Sequence, residues 1–481
     1  MKPHKFFPLA MLLFCSIHTY AQVGIGTIDP DPSAVLDITS TTQGMLTPRM
    51  TTAQRVAITT TVTSEGLLVF DTDEDVFYYF DGSAWERLEG AEKRNNYKLV
   101  KDITDLSDEL ITGGGLEYIL DENYMYEING TIVVDHPIDL NGAYIRGHDT
   151  GEDILFNDSG GALFTGDKGG RLKDLLILGN DLPVFNIIGS TGDENLIVYS
   201  VVMVGASSVG TLSTLNTVYF EVFQAVSTDD GLDVTTVKNF YIDKIFWTDA
   251  CEGTFLKLSG TFNNLQLANG RVVTDVGEIG IDVSANPTIT IAASIAQVSF
   301  TGDGTRVNGY SPSPYPGYFF TNNWDVDSPG LLLETDNAAI GDINLDTAIG
   351  SGYETDFATI GSGVKTKLEG TSTSDYLFRF SAPVDNRIVY EGIKTRSFQI
   401  AGSISFQGDN NNSIYIFYIA KNGVVLENSK VYREIGGNND VGAAAIVASV
   451  EMAQGDYVEV WAEKYDGAGS LLVVSLNLIA Q

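Results

Sequence analysis

Four short turn sequences recur along the middle of the chain: Thr228-Asp229-Asp230, Thr248-Asp249, Thr274-Asp275 and Thr301-Gly302-Asp303. Stacked on successive coils of a β structure, their carboxylates would form a column with neighbours about 4.8 Å apart. Like charges that close disfavour one another, so such a column needs solvent, a cation or a retained proton. Three chemistries fit. Each Asp can close an Asx turn by accepting backbone N–H groups. Asp229, Asp249, Asp275 and Asp303 could bind calcium or a sugar along one edge. Asp229, Asp230 and Asp249 could serve as a hydrolytic pair, which works at separations of roughly 5–9.5 Å. The supporting cast for catalysis is thin. After residue 21 the only histidines are His136 and His148, both ahead of the repeating region, and Lys238, Lys244, Lys257 and Arg271 form no recognisable group. Turn closure is favoured, and no catalytic residue is assigned.

A second group is aromatic. Tyr310, Tyr315, Tyr318 and Trp324, with Phe319 and Phe320, surround the proline-rich run Pro312-Ser313-Pro314-Tyr315-Pro316. Amphipathic rings stack on sugars or anchor a protein partner, so these four are the candidate ligand contacts. Covering the open end of a β structure would demand the same residues. Asp71, Asp73 and Asp75 suggest a calcium loop, but an EF-hand needs Gly at its sixth position and Glu at its twelfth. Here those places hold Val76 and Gly82, so a solvated turn is expected. Cys251 is the one cysteine after residue 21. It cannot form an intrachain disulfide, and a buried inert thiol is expected.

Positioning falls to a repeat. Short β runs restart at Leu172, Glu194, Leu215, Val237, Phe262 and Pro287, each carrying a stretch such as Leu196-Ile197-Val198-Tyr199 or Val218-Tyr219-Phe220-Glu221. A period of this size fits one coil of a right-handed parallel β-helix, in which no coil is stable alone. Gly130-Thr131-Ile132-Val133-Val134 and Ile138 to Gly147 resemble the first coils of pectate-lyase-like and tailspike-like β-helices. That resemblance spans residues 116–310, and the histidine-glycine step of polygalacturonase-like sites is absent from it. Upstream, Leu99, Ile103, Leu106 and Leu110 recur at spacings of four, three and four. They predict a helix over 96–112, within a neck of 96–115, either lying on the surface or forming a short coiled coil that aligns three chains. Residues 311–373 read as linker and cap.

From 374 onward, long alternating runs at Arg396–Phe406, Ser413–Lys421, Ala443–Met452, Asp456–Lys464 and Leu471–Ala480 predict strands. With Val384 to Gly392, Lys421-Asn422-Gly423 and Gly455 to Val460, they resemble the jelly-roll heads of the complement-globular and tumour-necrosis-factor superfamily, which implies a compact trimer. At the other end, Val23 to Thr27, Ala34 to Ile38, Gly44 to Thr51, Gly66 to Asp73 and Phe77 to Trp85 resemble an N-terminal module of bacterial surface proteins, some similar to phage tail fibres. That implies attachment over 22–95, not catalysis. The fold expected is all-β.

Residues 1–21 read as a signal peptide: Lys2 and Lys5, an apolar run from Phe6 to Ile17, and Thr19-Tyr20-Ala21 before Gln22. No later run is long and apolar enough to span a bilayer. Loss of Lys2 and Lys5 takes the formal charge from −35 to −37, which disfavours nucleic acid as a partner. The expectation is a secreted or surface-exposed homotrimeric fibre or adhesin that recognises a glycan or protein receptor. A β-helix lyase or glycoside hydrolase is the alternative. No cofactor is required; calcium is the one cation considered.

Overall fold

The computed structural model describes residues 22–88, 95–357, 363–465 and 468–481; the expected signal peptide lies outside them. The chain divides into a unit ending at Asn95 and a second from Asn96 to Gln481. In the first, Val23–Ile25 pairs in parallel with Leu36–Ile38, and Arg49–Met50, Leu68–Asp71, Val76–Phe80 and Trp85–Arg87 form a four-stranded sheet. Asp71 is not a solvated turn residue. It is buried, and it accepts Arg55 Nε at 2.9 Å, Thr52 Oγ1 at 3.1 Å and Asp73 N at 3.0 Å.

The second unit opens with a parallel β-helix. Its register is continuous through Lys98, Tyr126, Ile145, Leu172, Val198, Phe220, Ile242, Leu267, Ile295 and Val326, each opposite the next, so ten rungs are stacked among the described residues. From Tyr126 onward every member of this column is buried and hydrophobic. Parallel pairing forces the match: side chains in register point the same way, so each rung's apolar residue lies on the next. Flanking positions point outward, which gives the alternation its period of two.

A repeated backbone conformation turns each coil. Asp174, Ser200, Val222, Lys244, Asn269 and Gln297 occupy matching places and all lie in the left-handed region, with φ between 53° and 60°. Asn and Asp accept that region readily, whereas a β-branched residue there is strained. Val222 is the odd member.

The helix expected over 96–112 does not form as one piece. Tyr97–Val100 is a strand paired with Met125–Ile128, followed by a 3-10 turn at Ile103–Leu106 and a helix at Ser107–Thr112. Leu106 is buried in the β-helix core and Ile103 and Leu110 pack against it, while Leu99 faces outward from its strand. The apolar spacing therefore closes the first coils of the same chain. It leaves no coiled-coil neck.

After Trp324–Asp327 the chain enters a two-sheet sandwich. Ile340–Asp346, Arg396–Gly408, Val441–Met452 and Ser470–Ala480 share one sheet; Ile388–Tyr390, Ser413–Lys421, Val431–Ile435 and Tyr457–Lys464 share the other. Strands leave and re-enter the two sheets in jelly-roll fashion, and Phe406 meets Tyr415 and Phe417 across the core at 5.5 and 4.8 Å. The sandwich starts earlier than the expected 374, because Ile340–Asp346 and Tyr353–Asp356 both pair with Ser470–Ala480. Residues 311–373 are thus cap and first strands together. In this head, burial alone would raise Asp456, but Lys421, Asn422 and the Ala453 N–H donate to it and pull its carboxyl down to about 2.

Two outcomes follow. Val222→Asn should raise stability by about 1 kcal/mol by relieving the corner; an unchanged or lower melting temperature contradicts the assigned strain. Asp456 carries a depressed pKa, so its stabilisation is present above the ordinary aspartate value of about 3.9 and is lost as pH falls toward about 2. Melts of Asp456→Asn between those limits should show a shallower acid limb than the parent.

Candidate functional site

The aspartate turns do not form a column. Ala225, Trp247, Val272 and Phe300 lie in one register. Asp229 stands four residues past Ala225 and Asp249 two past Trp247, while Asp275 and Asp303 stand three past Val272 and Phe300. Coils of unequal length displace the turns, and only the last pair keeps step. Asp230 is committed to backbone: its Oδ1 accepts Gly231 N at 3.1 Å and Thr254 N at 2.8 Å. Asp229, Asp249, Asp275 and Asp303 are exposed. Among the described residues no group of three or more His, Cys, Asp or Glu is placed to hold a metal. The stacked edge expected for calcium at Asp229, Asp249, Asp275 and Asp303 is therefore not formed in one register, and of the expected hydrolytic set Asp229, Asp230 and Asp249 it is Asp230 that closes a turn, the reading favoured for these sequences. His136 sits beside Asp135 and edge-on to Tyr118, and the His148 N–H closes a turn on Asp153. Cys251 is buried, its Sγ 3.3 Å from the Ala225 carbonyl.

The expected aromatic contacts are spent on packing. Trp324 is 1% exposed; its indole N–H meets the Tyr310 hydroxyl at 3.1 Å, and Tyr310 bonds the Pro287 carbonyl at 2.5 Å. Both close the last rungs. Tyr318 stacks on Phe378 of the head at 4.0 Å, and Tyr315 meets the same ring edge-on while donating to Asn322 at 2.6 Å. Beneath them lies a buried ionic joint. Arg379 donates to Asn322 Oδ1 at 2.9 Å and to the Trp324 carbonyl at 2.6 Å, and its Nε lies 3.3 Å from Asp336. Glu334 accepts the N–H groups of Phe319 and Phe320 at 2.9 and 3.0 Å, and burial raises its pKa. These residues join shaft to head, with Trp324 and Tyr310 buried and Tyr315 and Tyr318 half-buried.

The surface that does offer chemistry is the outward side of the rungs. Tyr144, Arg171, Ile197, Tyr219, Tyr241 and Gln266 succeed one another in register. Two positions along, Lys173, Tyr199, Glu221 and Asp243 do the same. The corner residues tie this edge together: Lys244 Nζ reaches Glu221 at 2.9 Å and Asn269 Nδ2 reaches Asp243 at 2.7 Å, each bonding back one rung. Lys173 lies over the Tyr199 ring at 5.0 Å. A depression of 410 Å³ opens between Tyr219, Tyr241, Asp243, Gln266 and Asn269, and one of 620 Å³ opens between Tyr144, Arg171, Ile197 and their neighbours. Tyr199 and Tyr219 entered the sequence analysis only as strand formers, and Tyr241 holds the equivalent outward place on the next rung. Their constant place beside a buried residue was the signal that they point outward.

Comparison with known proteins bears on the other end of the chain. Residues 24–103 match a phage tail-like trimerisation region. This trimerisation region supports a homotrimer, and with the parallel β-helix it supports a tail-fibre-like protein. No curated protein sequence matches the chain. Among solved structures, murine APRIL is similar at 9% identity over 30% of this chain and 99% of its own, with a TM-score of 0.20. Eiger TNF from S. frugiperda is similar at 8% over 30% and 92%, with a TM-score of 0.22. The enzymatically active domain of bacteriophage CBA120 tailspike protein 4 is similar at 8% over 89% and 78%, with a TM-score of 0.19. Scores this low decide nothing; the strand pairing establishes the fold. Among the described residues, no helix is long and apolar enough to cross a membrane.

Replacing Arg379 with Met strands the buried Asp336 carboxylate, and such a loss costs about 3–5 kcal/mol. Urea unfolding should show it, and adding Asp336→Asn should recover part of it. A loss under 1 kcal/mol would mean that the joint is not holding the head.

Proposed function

We propose that the chain is one subunit of an exported homotrimeric surface fibre that recognises an extracellular receptor without cleaving it. The reading rests first on the apolar surface of the N-terminal unit. Ile28, Val35, Leu46 and Val62 are each more than three-quarters exposed in a single chain, and neither strand of the Val23–Ile25 and Leu36–Ile38 pair is buried. An isolated two-stranded sheet is marginal in water. These strands belong to the matched trimerisation region, so sister chains are the natural cover. Beyond them, the Arg379 joint fixes head to shaft, which suits a fibre that presents a rigid surface.

Cleavage is the second reading, and one observation favours it. Glu221 and Asp243 face each other directly across adjacent rungs, about 4.8 Å apart by strand spacing, near the separation of about 5–5.5 Å that retaining glycosidases use. Against it, Lys244 and Tyr219 already engage Glu221, and Asn269 engages Asp243.

Light scattering on the full chain should give three subunits per particle. Val35→Asp combined with Leu46→Asp should shift it to single chains at micromolar concentration. A parent protein that is monomeric under those conditions removes the fibre reading.

A further inference from the structure

One face of the shaft is apolar on both its inner and its outer side. The inward residues Leu155, Ile177, Met203 and Ala225 are buried. Beside them the outward row reads Val133, Phe156, Leu178, Val204 and Val226, one to a rung and in unbroken register. On their other flank, Ile154, Leu176 and Val202 succeed one another outward, Gln224 interrupts, and Phe246 resumes the row. Val133 and Phe246 are 49% and 48% exposed, and the other members of both rows are partly exposed. A sheet face meant for water alternates apolar with polar, whereas a parallel strand that runs apolar without a break is covered on both faces. Another face of the same coils obeys the rule for water: Thr211, Asp233, Lys257 and Asp282 succeed one another outward, and Lys257 pairs with Asp233 at 3.0 Å. A contiguous apolar patch open to solvent marks a contact with protein.

Continuity and charge name the occupant as a second copy of this chain. The trimerisation match extends to residue 103 and so takes in Tyr97–Val100, the first strand of the stack. That strand pairs with Met125–Ile128, and Val133, where the apolar row begins, lies in the same coil as Met125–Ile128. Chains gathered through the matched region therefore run on as neighbouring shafts at the point where the row starts. Each copy carries a formal charge of −35, so copies repel wherever carboxylates meet. From Ile154 to Phe246 both rows are free of charged side chains, and copies can touch there without that cost. We infer that the shafts of the trimer pack against one another through this face, each chain covering its neighbour's row from Val133 to Val226 and leaving the polar faces to solvent. The inference rests on the homotrimeric reading above and adds the shaft to the surfaces that hold the trimer, which contact through the N-terminal unit does not require.

Thiol accessibility on the full chain tests it. Val133→Cys and Phe246→Cys each place a thiol at one end of the face, where a single chain leaves the position about half exposed. Thr211→Cys places one at an exposed position on the polar face of the same stack. Each variant is treated with a small maleimide, the parent's own rate is subtracted, and particle mass is measured in parallel. In particles of trimer mass the Val133→Cys and Phe246→Cys thiols should react at least about tenfold more slowly than the Thr211→Cys thiol. Adding Leu178→Asp/Val204→Asp, which puts charge on the middle of the face, should return the Val133→Cys thiol to the fast rate. Equal rates at all three sites in a trimeric particle overturn the inference and leave the fibre reading standing. Protection that survives Leu178→Asp/Val204→Asp also overturns it, because another segment then covers the face. A monomeric parent removes the fibre reading, and this inference with it.

Discussion

An apolar side chain inside the shaft is only partly covered by its own rung, as where Phe220 meets Phe223 at 5.4 Å. Phe220 is covered because Val198 lies below it and Ile242 above, and each of those depends on the next in turn. Burying a side chain of this size contributes about 1.5–3 kcal/mol, but only once its neighbours are in place, so stability is shared along the stack. Both ends then need closing. Leu106 with the Ser107–Thr112 helix covers the first coils, and Trp324 with Tyr310 and Phe320 covers the last.

The same constraint explains the outer surface. Once register is fixed from inside, outward residues are held in straight rows whatever their chemistry. That is how tyrosines, carboxylates and amides separated by some twenty residues in sequence arrive side by side at Tyr219, Tyr241, Asp243 and Gln266. Left-handed corners add a second row, and Lys244 and Asn269 lock the edge carboxylates in place. At the far end, Arg379 and Asp336 replace apolar packing with a buried ion pair, which ties the head to the shaft in one orientation.

Much of the fold was legible because its signals are periodic. The coils around Val198, Phe220 and Ile242 and the long head strands at Arg396–Gly408 and Ser470–Ala480 read directly from alternation. What misled was spacing without a chain-wide register. Coil length varies from 19 residues, between Tyr126 and Ile145, to 31, between Ile295 and Val326, so turns that look equivalent in sequence, such as those of Asp229 and Asp249, fall out of step. The Leu99 to Leu110 spacing imitates a helix although a strand and a short cap share it. The head's first strand escaped notice because Ile340–Asp346 is short and interrupted by Asp342, which is buried and accepts the Asp375 and Tyr376 N–H groups. Trp324 looked like a ligand platform because an aromatic cap and an aromatic contact have the same composition.

Amide hydrogen exchange across the full chain tests the stacking most directly. Each internal rung is bonded to a rung on both sides, so protection should peak near Val198, Phe220 and Ile242, fall toward the ends of the stack, and be lost there as one cooperative block. Rapid, independent exchange of the central rungs while the head stays protected would contradict a continuous β-helix.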